Sequence, residues 1–232
     1  MADGIYIGMN GAAARMAQLD AIADNLANAE TPGFRAARPQ FSSLVPGAPE
    51  GPSPAMVVVG QQGVDERAGA PRVTGRPLDV RVDGDAWLTV SMGEDRIAYT
   101  RDGRLDLDGD GRLLSGGHPV QGERGDILVP PGLEVSVASD GAIVAGGQEI
   151  DRLALARLSG AIARVGPTLV HGAAEPVDEV RVHAGELEGS NARALESTVE
   201  LVAAQRAYDH AMQAIQTSRR MDERAVETAR LR

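Results

Sequence analysis

The period at which apolar residues recur changes twice along this chain, from helical to strand-like and back, and no other feature constrains the fold as tightly. Near the start, Met9, Ala12, Met16, Leu19, Ala23 and Leu26 follow one another at steps of three and four. Such a series lies on one face of an α-helix, at coiled-coil spacing. Ile5 extends the seam by one turn and Ile22 broadens it. Rich in Ala and Met, the seam packs closely while gaining little per residue. Thr31-Pro32-Gly33 stops the helix, because proline cannot continue it and biases the residue before it away from helical angles. The first helix is therefore expected from about Ile5 to a closing segment at Asp24 to Phe34.

The other end mirrors this. A second helix is expected to open from Leu187-Glu188-Gly189-Ser190-Asn191, with Ser190 or Asn191 as N-cap, and to run nearly to Arg232. Leu195, Val199 and Val202 form one stripe on it; Leu201, Tyr208, Met212 and Ile215 form another. The apolar face thus drifts instead of keeping one strict heptad. Some 35 residues at ~1.5 Å each make a helix of ~50 Å, and a helix that long with mixed polar faces seeks partner helices.

Between the helices the pattern differs. Residues 35–73 carry Pro39, Pro46, Pro49, Pro52, Pro54 and Pro71 and read as an extended connector, with a strand expected at Met56 to Val59. From residue 74 to 158 the period becomes two: Leu78, Val80 and Val82 alternate with Asp79, Arg81 and Asp83, and Leu133, Val135 and Val137 with Glu134, Ser136 and Ala138. Turns at Asp102-Gly103, Asp110-Gly111 and Asp140-Gly141 separate such runs, as in an antiparallel all-β domain. Residues 159–186 read as a second irregular connector, and residues 187–232 as the second helix. The expected fold is α+β: N- and C-terminal helices (residues 1–34 and 187–232) form a coiled-coil-like terminal domain, and a central antiparallel all-β domain lies between them.

Composition narrows the function. A formal charge of −10 argues against nucleic acid, since phosphate binding needs a concentrated basic face. With no cysteine, disulfides, thiolate metal sites and a cysteine nucleophile are excluded. The longest wholly apolar run, about Ala55 to Val59, falls far short of the ~20 residues of a membrane helix; no membrane insertion is expected. Asp3, and the lack of Lys or Arg before Arg15, do not fit a cleavable signal.

The motifs that invite chemistry are weak. Asp106-Leu107-Asp108-Gly109-Asp110-Gly111 imitates half a calcium loop, but its twelfth position is Gly117 where a bidentate Glu is needed; it reads as a hairpin turn between Leu107 and Leu113. Arg124-Gly125-Asp126 reads as a turn before Ile127. His118, His171, His183 and His210 are scattered and lack zinc spacing. No catalytic, cofactor or metal residue is expected. Arg219, Arg220, Arg224, Arg230 and Arg232 concentrate positive charge at the end of the second helix, where it suits either the helix dipole or an acidic neighbouring surface.

Asn25-Leu26-Ala27-Asn28-Ala29-Glu30-Thr31-Pro32-Gly33-Phe34-Arg35 resembles the N-terminal signature of the bacterial flagellar rod and hook family. Leu187 to Asn191, followed by Val199-Glu200-Leu201-Val202-Ala203-Ala204-Gln205-Arg206-Ala207-Tyr208, resembles its C-terminal signature. Gly75 to Val80, Trp87 to Val90, Tyr99 to Gly103 and Gly116 to Val120 resemble its β-domain, and the short chain with Arg76 to Val80 is most similar to the proximal rod branch. The resemblance implies a structural subunit of the basal body's axial rod, exported unprocessed through the flagellar type III apparatus and polymerising in the periplasm. Its partners would be other rod subunits, itself and the export apparatus.

On this reading the terminal helices bury too little alone and pack against neighbours on assembly. The expected interface takes Ile5, Met9, Ala12, Met16, Leu19, Asn25, Leu26, Asn28, Pro32, Gly33 and Phe34 from the first end. From the second it takes Leu187, Asn191, Leu195, Val199, Val202, Arg206, Tyr208, Met212 and Ile215. Asn25 and Asn28 are expected to fix the helix end by hydrogen bonds. Alternatives are a distal rod or hook subunit, a secreted carbohydrate-binding or enzymatic β-domain with helical appendages, and a monomeric assembly factor.

Overall fold

A computed structural model describes residues 2–44, 56–59, 63–93, 96–177 and 181–230, with side chains described for 8–40, 63–93, 96–177 and 181–221. It has the expected α+β character: a helix at each end and antiparallel strand pairs between. Two compact units arise from interleaved segments. One takes in residues 1–26, 37–62 and 193–232, the other residues 27–36 and 63–192.

The first unit holds α1 (Ala2–Ala27) and α2 (Ala194–Arg230), with a hairpin of Phe41–Leu44 against Met56–Val59. The strand expected at Met56 to Val59 is thus present, paired with a segment that had read as connector. α2 starts later than expected. Ser197 N–H donates to the Arg193 carbonyl at 2.9 Å, which makes Arg193 the cap. Ser190 Oγ instead accepts the Ala192 N–H at 3.1 Å, and Leu187 and Glu188 belong to a strand, Glu186–Glu188, paired with Pro71–Val73.

The second unit is built around a closed four-stranded barrel of Ala86–Ser91, Ile97–Thr100, Leu155–Arg164 and Leu169–Pro176. Residues 159–186 are therefore not an irregular connector. The alternation is masked there because register shifts between Ser159 and Ala163, with Gly160 at φ +73°. A bulge of this kind breaks the period of two that a sequence reading relies on. Val182–Ala184 pairs with Val80–Val82, and Val135–Val137, Ala142–Ala145 and Gln148–Arg152 form a meander. The core gathers Leu88, Val90, Leu105, Leu113, Val120, Ile127 and Ile143.

Candidate functional site

The helical unit sorts its apolar residues into two sets. In α1 the buried positions are Ala12, Ala21, Ile22 and Asn25, whereas Met9 and Met16, which the sequence seam placed at its centre, are 50% and 55% exposed. In α2 the two stripes separate cleanly. Ile215 is buried, and Leu201, Tyr208 and Met212 are half-buried, on the same face as buried Ser197 and Ala204. Leu195 and Val199 are 79% and 64% exposed, with Val202 and Arg206 beside them in solvent. The helices meet at Gly8, where an added Cβ would lie 2.8 Å from Ile215 Cγ1; glycine is what lets them approach so closely. Leu19 and Leu26 are half-buried. Ile5 lies in α1, but its side chain is outside the described residues, as are those of Arg224, Arg230 and Arg232.

Asn25 behaves as expected of a helix-end residue. Its Nδ2 donates to the Ala37 carbonyl at 3.1 Å and its Oδ1 accepts the Ala37 N–H at 2.6 Å, so one carboxamide mimics a strand partner. Asn28 accepts from Thr31 twice, through its carbonyl at 3.1 Å and through Oδ1 at 3.3 Å.

The other members of the expected interface are used inside the second unit. Gly33 adopts φ +69°, and a Cβ there would lie 2.1 Å from the Arg101 carbonyl carbon; no other residue fits. Its N–H donates to the Glu188 carbonyl at 2.8 Å. Phe34 is fully buried under the Arg164 guanidinium, 4.5 Å from the ring centroid. Pro32 and Asn191 are half-buried and Leu187 is buried. The Asn191 carboxamide joins three backbone groups: Oδ1 accepts the Ala36 N–H at 2.6 Å, and Nδ2 donates to the Asp65 and Arg67 carbonyls at 2.8 and 2.7 Å. That use of its side chain is why Asn191 does not cap α2.

At the centre of this junction stands a buried ion cluster that sequence reasoning missed. Glu188 pairs with Arg35 at 2.7 Å and Arg101 at 3.3 Å, with all three side chains almost fully buried, and its Oε1 accepts the Gly69 N–H at 3.0 Å. Both guanidinium groups lie over the Trp87 ring, 5.5 and 5.3 Å from its centroid. Two buried cations facing one carboxylate would be costly; the π face of Trp87 supplies further negative potential. Burial lowers the Arg101 pKa to about 10 against the opposing pull of Glu188, and burial likewise lowers that of Arg35. No local pattern signals the cluster: Arg101 directly follows the strand Ile97–Thr100 and stands beside Asp102, and Glu188 lies in the strand Glu186–Glu188.

Elsewhere the polar residues serve turns. Asp108 Oδ1 accepts the Asp110 and Arg112 N–H groups at 2.9 and 2.8 Å between the paired strands Leu105–Leu107 and Leu113–Ser115, the hairpin expected of the half calcium loop. Glu123 and Arg124 turn between Gln121–Gly122 and Gly125–Asp126. His183 Nε2 lies 2.8 Å from Asp83 Oδ2, and Arg81 bonds both Asp83 and Glu186. The His183 contact, aided by Arg81, holds the Asp83 carboxyl below its ordinary value. A shallow groove of about 350 Å³ is bounded by Arg104, Asp106, Leu114, Gly116 and Gly117.

Three family models match the chain. The flagella basal body rod protein model covers residues 5–35, the flagellar hook protein FlgE/F/G D1 domain covers 81–145, and the flagellar basal body rod FlgEFG protein C-terminal model covers 183–228. Glu188, Arg35, Arg101 and Trp87 all fall inside these matches. Among curated relatives, the flagellar basal-body rod protein FlgF of Escherichia coli (strain K12) is 35% identical, covering 91% of this chain and 92% of its own length. FlgF of Rhizobium meliloti (strain 1021) is 33% identical over 98% of both chains. FlgG of Bacillus subtilis (strain 168) is 33% identical over 60% of this chain and 59% of its own.

Proposed function

The chain belongs to the flagellar basal-body rod protein family, and from that premise we propose that it is a structural subunit of the rod that polymerises through the outward faces of its terminal helices. The observation that carries this reading is the exposure of Met9, Met16, Leu195 and Val199 on α1 and α2. Large apolar side chains on helices are each worth about 1.5–3 kcal/mol when moved from water into contact, and aligned exposed stripes are surfaces for partners. The expected interface therefore divides. Met9, Met16, Leu195, Val199, Val202 and Arg206 face neighbouring subunits. Gly33, Phe34, Leu187, Asn191 and Ile215 build the subunit that presents them.

The partners are other rod components, and the place is the flagellar basal body. More finely, the subunit stands in the proximal rod, meets copies of itself and the export apparatus, and acts in the periplasm after export without signal cleavage. Its role is mechanical rather than catalytic, with no cofactor, and the relatives do not favour a sugar-binding or enzymatic β-domain. The test is to introduce Met9→Asp or Leu195→Asp and purify detergent-resistant basal bodies for mass spectrometry. The folded variant should be missing from the rod and the cells non-motile; incorporation at wild-type stoichiometry with normal swimming overturns the reading.

A further inference from the structure

We propose that Glu188 and Asn191 form a clasp that makes the ordering of three remote segments, 33–36, 65–70 and 186–191, a single cooperative step. Glu188 holds Arg35, Arg101 and the Gly69 N–H. Asn191 holds Ala36, Asp65 and Arg67. Backbone bonds run between the same segments: Gly33 N–H to the Glu188 carbonyl, Asn191 N–H to the Phe34 carbonyl and Gly189 N–H to the Ala70 carbonyl. Close approach reinforces them, since a Cβ on Gly69 would lie 1.8 Å from the Gly189 carbonyl oxygen.

No one of these segments can order alone without stranding buried partners. Without Glu188, two buried guanidinium groups lose their carboxylate; without Asn191, the Ala36 N–H and the Asp65 carbonyl lose the carboxamide, while the Arg67 carbonyl keeps only the Arg35 guanidinium. A buried polar group left unpaired costs more than the bond it made, so the segments open together or stay closed together. Residues 28–36 follow α1 directly and residues 186–192 precede α2, so the two segments that adjoin the helices order in the same event. As a gate on assembly competence this rests on the proposed function; as a statement about folding it does not.

The experiment is segment-resolved hydrogen exchange on the free full-length chain, with no assembly, so that it stands apart from the function. In the wild type the three segments should open with one common protection factor. Glu188→Gln should lower protection in all three by the same ~100-fold or more, with the meander Val135–Arg152 unchanged, and should shift the emission of Trp87, the chain's single tryptophan. The milder Asn191→Ala should lower the same three by about tenfold. Loss confined to 186–191, or equal loss across the whole β unit, overturns the clasp.

Discussion

The two units of this chain solve opposite problems. The β unit encloses large side chains: Leu88, Leu105, Leu113, Ile127 and Ile143 are almost wholly removed from water. The helical unit buries mostly small ones, such as Ala12, Ala21 and Ala204, and leaves Met9, Met16, Leu195 and Val199 outside. Hydrophobic stabilisation scales with the apolar area covered, so the β unit is completed by its own chain, whereas the helical unit leaves its Met9, Met16, Leu195 and Val199 side chains uncovered. A sequence with apolar stripes at both ends can therefore have an ordinary core in only one part.

This contrast can be broken by substitution. The largest expected effect is at the β core, where Leu105→Ala should cost about 3 kcal/mol, read as a fall in the urea midpoint; a loss below ~1 kcal/mol would mean that this core is not close-packed. Gly33→Ala follows at about 2–3 kcal/mol, because the positive φ and the overlap with the Arg101 backbone act together. If Gly33→Ala melts like the wild type, the junction is not as tight as the geometry requires. A smaller effect is expected at Asp83. Its folded pKa lies below the ordinary carboxylate value, so its contribution is complete above about pH 4 and fades as pH falls through the folded value. The Asp83 side chain is exposed and its partners Arg81 and His183 are half-buried, so solvent screens the contact to a few tenths of a kcal/mol. Asp83→Asn should thus lower the urea midpoint slightly at pH 7 and converge on the wild type in acid. Smallest is Leu195→Asp, expected to leave thermal stability of the free chain within about 0.5 kcal/mol, although under the proposed function the same change is expected to block incorporation into the rod. A large loss there would show that Leu195 is packed at home, and the contrast between the units would fail.

Much of the fold was legible. Steps of three and four between Met9 and Leu26 placed α1, and alternation at Val80–Val82 and Val135–Val137 placed two of the strands that line the core. Where local rules are interrupted, legibility ends. The bulge after Ser159 hid the longest barrel strand, and Leu187-Glu188 looked helical because its neighbours downstream are. The candidate interface was half legible: the sequence marked which residues are apolar, but not which face of α1 or α2 the chain would cover for itself. The Glu188 cluster was out of reach, since Arg35, Arg101 and Glu188 are separated by more than 60 residues at each step and only closure of the chain brings their charges together.

By itself, the sequence determined that both ends are helices with apolar faces, that an antiparallel β region lies between them, and that no cysteine chemistry is available. Periodicity is a local property, so it survives without knowledge of the fold. Only the tertiary structure decided which face of each helix is covered and that Met9, Met16, Leu195 and Val199 are left open. It also decided that a carboxylate near one end of the chain clasps an arginine near the other. Both follow from three-dimensional packing, in which burial depends on what arrives from far along the chain and not on spacing within it.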